Sequence, residues 1–378
     1  MKTLNLIIAL LFVSTLSFAA HIKPKKRILV ENTKIQVAIL LDTSSSMDGL
    51  IEQAKSQLWS IVNTLTTLKY NKQTPNIEIS LYEYGNDNLS EQRNYIKQVV
   101  PLSNDLDLIS EKLFALSTNG GSEYCGAVIA DATKKLNWGN QTNNMKLIYI
   151  CGNEPFDQGD VNYKTAIANA SKKNIFINTI FCGDQQEGID THWKNGADIS
   201  NGKFFNIDSN RVIEYVETPF DDKITKCNDR INKTYINYGA QGHEKKKNQE
   251  VQDNNAKFIS KANMTERAVS KSTAIYQNAS WDLVDKFKED KNAIANVKKE
   301  ELPAEYKDKS TIELQKIVEK QTVEREAIQK EIGELARKRQ EYLDIESKKL
   351  KVVDDLGNSI NKSILLFAKA KGYVVGKK

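Results

Sequence analysis

The chain has 378 residues, 40 % of them hydrophobic and 27 % charged, with a formal net charge of +5. That length exceeds one ordinary core and fits two domains, or one domain with a large extension. So mild a charge gives no case for nucleic acid as a partner, and three histidines leave little from which to build a histidine-dependent triad or a zinc site.

In chain order, Lys2 is followed by an apolar stretch from Leu4 to Phe18 and then by the small residues of Ser17-Phe18-Ala19-Ala20. This is the layout of a secretory signal peptide over residues 1–20, and it is short for a membrane span. No later segment is apolar enough to cross a bilayer. The mature chain is therefore expected to be exported, periplasmic or extracellular, with no transmembrane segment.

"KIQVAILLD" (34–42) is a nearly continuous apolar run, the pattern of a central parallel strand covered on both faces. Leu50, Ile51, Ala54, Leu58, Ile61, Val62 and Leu65 then recur at helical spacing. Strand candidates follow at 76–85, 96–100, 146–152, 174–183 and 202–208. Helices are expected at 103–116, 123–136, 161–173 and 188–198. Such alternation predicts an α/β fold, a doubly wound and mainly parallel sheet with right-handed crossovers. Ligands of such sheets bind beyond the carboxyl ends of the strands, where the strand order reverses.

From about residue 228 the character changes. "HEKKKNQEVQDNNAKF" is almost free of apolar residues and reads as a solvated linker or an exposed helix. Beyond it the chain is helical throughout. Ile317, Ile328, Ile332, Leu335, Tyr342 and Ile345 form a thin apolar stripe among charges of both signs, which suggests a helical hairpin or a coiled coil. Pro303 starts or separates helices here. In "YQNASWDLVDKF" (276–287), Trp281, Leu283, Val284 and Phe287 at helical spacing read as core.

The first strand ends in "DTSSSMDG", with Asp42, Ser44 and Ser46 at two-residue steps. One reading is a strand-to-helix turn capped by Asp42 or a serine. The other is a cation site, since alternate positions of an extended turn aim their side chains the same way.

The motif resembles the D-x-S-x-S signature that begins the metal-ion-dependent adhesion site of von Willebrand factor type A domains. "GGSEYCGAVI" (120–129) resembles that family's second loop, with Ser122 on the position of its threonine. "LIYICGNEP" (147–155) resembles its fourth strand and turn. The resemblance covers roughly 34–215, and it implies a Rossmann-like type A domain over 34–227 followed by a helical region over 228–378. It implies Mg²⁺, or else Mn²⁺ or Ca²⁺, held by Asp42, Ser44, Ser46 and Ser122. Mg²⁺ takes about six oxygen ligands and commonly keeps some of its water. The position left open would accept an acidic group from another protein. Where the family usually has an aspartate before the glycine of the fourth loop, this chain has Cys151 before Gly152, and a thiol is a poor ligand for a hard cation. Glu154 is the expected substitute and Glu123 a second candidate; otherwise the site is weak or empty.

Export permits disulfides among Cys125, Cys151, Cys182 and Cys227. A bridge from Cys125 to Cys182 or to Cys151 would clamp the metal loops; the alternative is buried free thiols. The expected function is cation-dependent binding of another protein in the cell envelope, without catalysis. Two alternatives stand beside it: an envelope protein that acts through its helical half with the first domain as scaffold, and a metal-assisted hydrolase.

Overall fold

β1 (Lys34–Asp42) divides its side chains between two layers: Ile35, Val37, Ile39 and Leu41 face one, Ala38 and Leu40 the other. The computed structural model describes residues 33–347 and 355–376; the expected signal peptide lies outside them. After a 3-10 turn at Ser45–Met47 come α1 (Asp48–Thr66) and the short strand β2 (Leu68–Lys69). β3 (Asn76–Tyr84) pairs parallel with β1, and β4 (Ile96–Ser103) pairs antiparallel with β3. The alternation continues through α2 (Leu106–Phe114), α3 (Cys125–Lys135), β5 (Met145–Gly152), α4 (Tyr163–Lys172) and β6 (Phe176–Cys182). It closes with α5 (Gln185–Asp190), α6 (Trp193–Ile199) and β7 (Phe204–Ile207).

The six-stranded sheet has the order β4-β3-β1-β5-β6-β7, and all its pairings are parallel except that of β4. The doubly wound, mainly parallel sheet expected from the alternation is present. The order turns at β1, so the loops after β1 and β5 leave the sheet side by side at its carboxyl edge.

The helical region comprises α7 (Asp221–Asn232), α8 (Gly242–Ile259), α9 (Lys261–Lys271), α10 (Leu283–Glu289), α11 (Ala293–Asn296), α12 (Ala304–Lys307), α13 (Thr311–Ser347) and α14 (Leu356–Ala370). A last short strand, β8 (Val374–Val375), pairs antiparallel with β2. From Thr33 onward the chain packs as one compact unit. The helices expected after residue 228 therefore share a core with the sheet. α14 lies against the sheet and α1: the Tyr149 hydroxyl donates to the Ile360 carbonyl at 3.5 Å, and Leu356 N donates to Gln53 Oε1 at 3.1 Å. The Phe367 ring packs against that of Phe176 at a tilt, with centroids 4.7 Å apart.

Two expectations for this region are corrected. The polar stretch at 243–258 is not a linker but a helix, and not a wholly exposed one: it lies in α8, which buries Gln249, Gln252 and Asp253. Asp253 accepts from Arg267 Nε at 2.5 Å and from Lys271 Nζ at 2.9 Å, and Arg267 also reaches Asp107 of α2 at 2.9 Å. Paired ions can be buried where single ones cannot. The apolar stripe of α13 does not zip into a coiled coil. It packs on α7, α9 and α10, burying Val318, Ile328 and Ile332 while Ile345 stays exposed. Trp281, Leu283, Val284 and Phe287 are buried, as the core reading of 276–287 expects.

Candidate metal centre

Asp42 is the last residue of β1 and is wholly buried. Its Oδ1 accepts from Ser44 N at 2.7 Å, the Asx turn that starts the loop, while Oδ2 is buried with no hydrogen-bond partner. The Ser44 and Ser46 hydroxyls stand 3.3 Å apart, Ser44 buried and Ser46 exposed. The second loop is tied to this one by backbone: Asn119 N donates to Thr43 O at 3.0 Å and Ser45 N to Gly120 O at 2.9 Å. Ser122 bridges to Gly85, and a Cβ on Gly85 would lie 2.9 Å from Asp42 Oδ1 and 2.8 Å from the Glu123 side chain. Glycine is required there by that closeness and by a φ of +79°.

Asp42, Ser44, Ser46, Ser122 and Glu123 thus meet at one corner of the carboxyl edge. Their roles within it differ. Ser122 lies close to the Tyr95 hydroxyl, while the Glu123 carboxyl, buried, stands beside the Ser44 hydroxyl. Glu154 is half-buried and close enough for its charge to act on both Asp42 and Glu123. Asn153, which the motif comparison passed over, donates to Ser46 Oγ at 3.3 Å.

The electrostatics are those of a site short of positive charge. Burial pushes the Asp42 carboxyl up to about 7; hydrogen bonds from Ser44 oppose the shift, and the charges of Glu123 and Glu154 add to it. Burial, with Glu154 and Asp87 nearby, also raises Glu123. The donor set, two hydroxyls and an orphaned carboxylate oxygen with a second carboxylate adjacent, fits a hard divalent ion. Among the described residues no three His, Cys, Asp or Glu side chains gather closely enough to hold an ion alone. An ion here would thus depend on Ser44 and Ser46 and on water or an outside ligand.

The fourth loop needs a correction. Cys151 does not face the site: it points into the layer of Tyr149 and Leu41, opposite to Asp42. The residue of β5 nearest the site is Gly152, where a Cβ would lie 3.0 Å from Asp42 Oδ2 and 2.6 Å from the Tyr84 hydroxyl. Strand alternation carries this signal, since Ile148, Ile150 and position 152 share one face. The same alternation sets Cys125 apart from the cysteines it was expected to bridge. All four cysteines are free and buried, with Cys125 in the layer of Ile148 and Ile150 and Cys151 and Cys182 in the opposite one. Either expected bridge from Cys125 would have to cross the sheet.

One further rim feature had no signal in the motif. Asn94 and Tyr95 both adopt left-handed backbone, φ +55° and +52°, at roughly 1–2 kcal/mol per residue for a residue such as tyrosine. Tyr95 N donates to Ser90 O and Tyr95 O accepts from Gly85 N, both at 3.1 Å. The Tyr95 ring meets that of Tyr124 edge-on at 6.1 Å.

Residues 36–218 match the family model of the von Willebrand factor type A domain. No curated protein matches the chain. Among solved structures it is similar to the conserved hypothetical protein BatB from Bacteroides thetaiotaomicron, at 16 % identity over 46 % of this chain and 90 % of that one, with a TM-score of 0.36. An aerotolerance-related membrane protein from Bacteroides fragilis is similar at 17 % identity over 47 % and 93 %, TM-score 0.34. Proximal thread matrix protein 1 from the mussel byssus, with a zinc-occupied MIDAS motif, is similar at 14 % identity over 46 % of this chain and 42 % of its own, TM-score 0.35. These likenesses are weak, and the assignment rests on the family match together with the strand order.

Proposed function

We propose that the corner formed by Asp42, Ser44, Ser46 and Glu123 holds a divalent cation, Mg²⁺ or alternatively Mn²⁺ or Ca²⁺, with Ser122 and Glu154 around it. Through that ion the chain binds another protein. A type A domain supports a protein-binding or adhesion role; the finer reading is that an acidic side chain of the partner completes the coordination. The observation that carries it is the Asp42 carboxylate, buried with one oxygen unpartnered. A buried anion without a counter-ion is costly unless something positive comes to it. The site residues act as ligands and the chain is not an enzyme. With its N-terminal leader it works outside the cytoplasm, in the envelope.

A second reading treats the type A domain as a scaffold for the helical half. It is favoured by Gly152, which offers the corner no ligand from β5. Calorimetric titration of Mg²⁺ and Mn²⁺ into the chain from His21 onward, and into its Asp42→Ala variant, separates the two. Heat of binding in the parent and its loss in the variant is expected; identical heats would overturn the ion reading and leave the scaffold.

A further inference from the structure

We propose that the rim carries a second subsite beside the ion, which takes an arginine or lysine side chain of the same partner between Tyr95, Tyr124, Asp87 and Glu91. The inference rests on the reading of the corner as an ion site that meets a partner's acid. Tyr95 reaches this corner directly: its carbonyl holds Gly85 N, its hydroxyl lies against Ser122, and Gly85 touches both Asp42 and Glu123. A tyrosine held in left-handed backbone next to a binding corner is a strained feature of the kind that persists at functional sites. Tyr124 is backed by Gly159, where a Cβ would lie 2.7 Å from its ring, so the ring pair has a fixed support.

Two carboxylates stand at this ring pair. Asp87 lies against the second loop, with Gly121 N at 3.4 Å from its Oδ1, and the charges of Glu91 and Asp87 both act on the Tyr95 hydroxyl. Both acids are exposed, and neither forms an ion pair among the described residues. The loops at 42–48, 117–124, 153–162 and 183–191 contain no lysine or arginine; Arg93 is the one base in 85–95. Ring faces next to unpaired carboxylates suit a guanidinium or ammonium group, by cation–π attraction and charge-assisted hydrogen bonds. The subsite also resolves a conflict in the ion reading. A lone acid approaching an ion ringed by Glu123, Glu154, Asp87 and Glu91 is repelled by them within a screening length. A partner that carries its acid next to a base is not.

The test uses three peptides, Ser-Arg-Ser-Asp-Ser-Arg-Ser and its analogues with serine or glutamate in place of arginine, titrated by fluorescence polarisation in saturating Mg²⁺. The arginine peptide is expected to bind at least tenfold more tightly than the serine one, with the glutamate peptide weakest. Tyr95→Asn deletes the ring but tolerates the left-handed backbone, and it should cut that preference below about threefold, as should Asp87→Asn with Glu91→Gln. Equal binding of the arginine and serine peptides, or binding of neither, by protein that still gives Mg²⁺ heat overturns the subsite alone. Absence of Mg²⁺ heat overturns the ion reading beneath it.

Discussion

Two buried aspartates in this chain have opposite surroundings. Asp253, in the helical region, receives Arg267 and Lys271 together with Asn228 and Asn232. Burial alone would raise its carboxyl, but Lys271 and Arg267 outweigh burial and hold it well below the usual carboxylate range. Asp42, at the sheet's carboxyl edge, is as deeply buried and has no cation near it among the described residues, so burial pushes its carboxyl up to about 7. Where the chain uses an ion pair to join elements, it supplies both partners itself. Where it leaves a buried charge unmatched, at the corner of two loops, the proposed ion would supply the missing partner.

The sharpest way to break the comparison is Arg267→Met. It should leave Asp107 without its cation and Asp253 with Lys271 alone, and lower stability by about 3–5 kcal/mol, read from urea unfolding. A loss under 1 kcal/mol would mean that the network does not join α2, α8 and α9.

Acid titration follows. In the unfolded chain Asp253 titrates near pH 4; folded, it holds its charge to lower pH. The unfolded state then binds more protons in that window, so stability should fall as the pH drops below about 4. The Asp253→Asn variant should show a visibly shallower fall; equal slopes would remove Asp253 as the cause.

A smaller effect of opposite sign is expected from Asp42→Asn. Removing an unmatched buried charge should stabilise the metal-free chain at pH 8 by ~2 kcal/mol, while Mg²⁺ ceases to raise its melting temperature. Destabilisation in the absence of metal would show that the carboxylate has a structural partner. Least of all, a reductant should leave the melting curve unchanged, and thiol titration of the unfolded, unreduced protein should count four free cysteines. A bridge that includes Cys125 would contradict its placement across the sheet from Cys151 and Cys182.

Much of the sheet was legible because its signals are local. The apolar run of β1 and the helical spacing of α1 are each written within a few residues, and Asp42, Ser44 and Ser46 follow one strand end. The second loop was legible through a motif. Less legible was anything that depends on which face a side chain takes within a neighbouring strand. Cys151 stood in sequence where the family has its aspartate, yet alternation turned it away and brought Gly152 to Asp42.

The amino-acid sequence by itself determined the alternating strands and helices, the acid-and-hydroxyl turn after β1, and the helical character of the chain beyond residue 228. Those properties follow from hydrophobic period and local hydrogen bonding, which need no distant partner. Only the tertiary structure decided that α14 returns to pack on α1, that the polar face of α8 is buried, that the cysteines stay apart, and that Tyr95 joins the rim. Each of these depends on groups far apart in the chain whose charges and surfaces are matched only after it has folded. Burial of Asp253 is stable because Arg267 and Lys271 arrive beside it, and Asp42 remains unmatched because no cation among the described residues does.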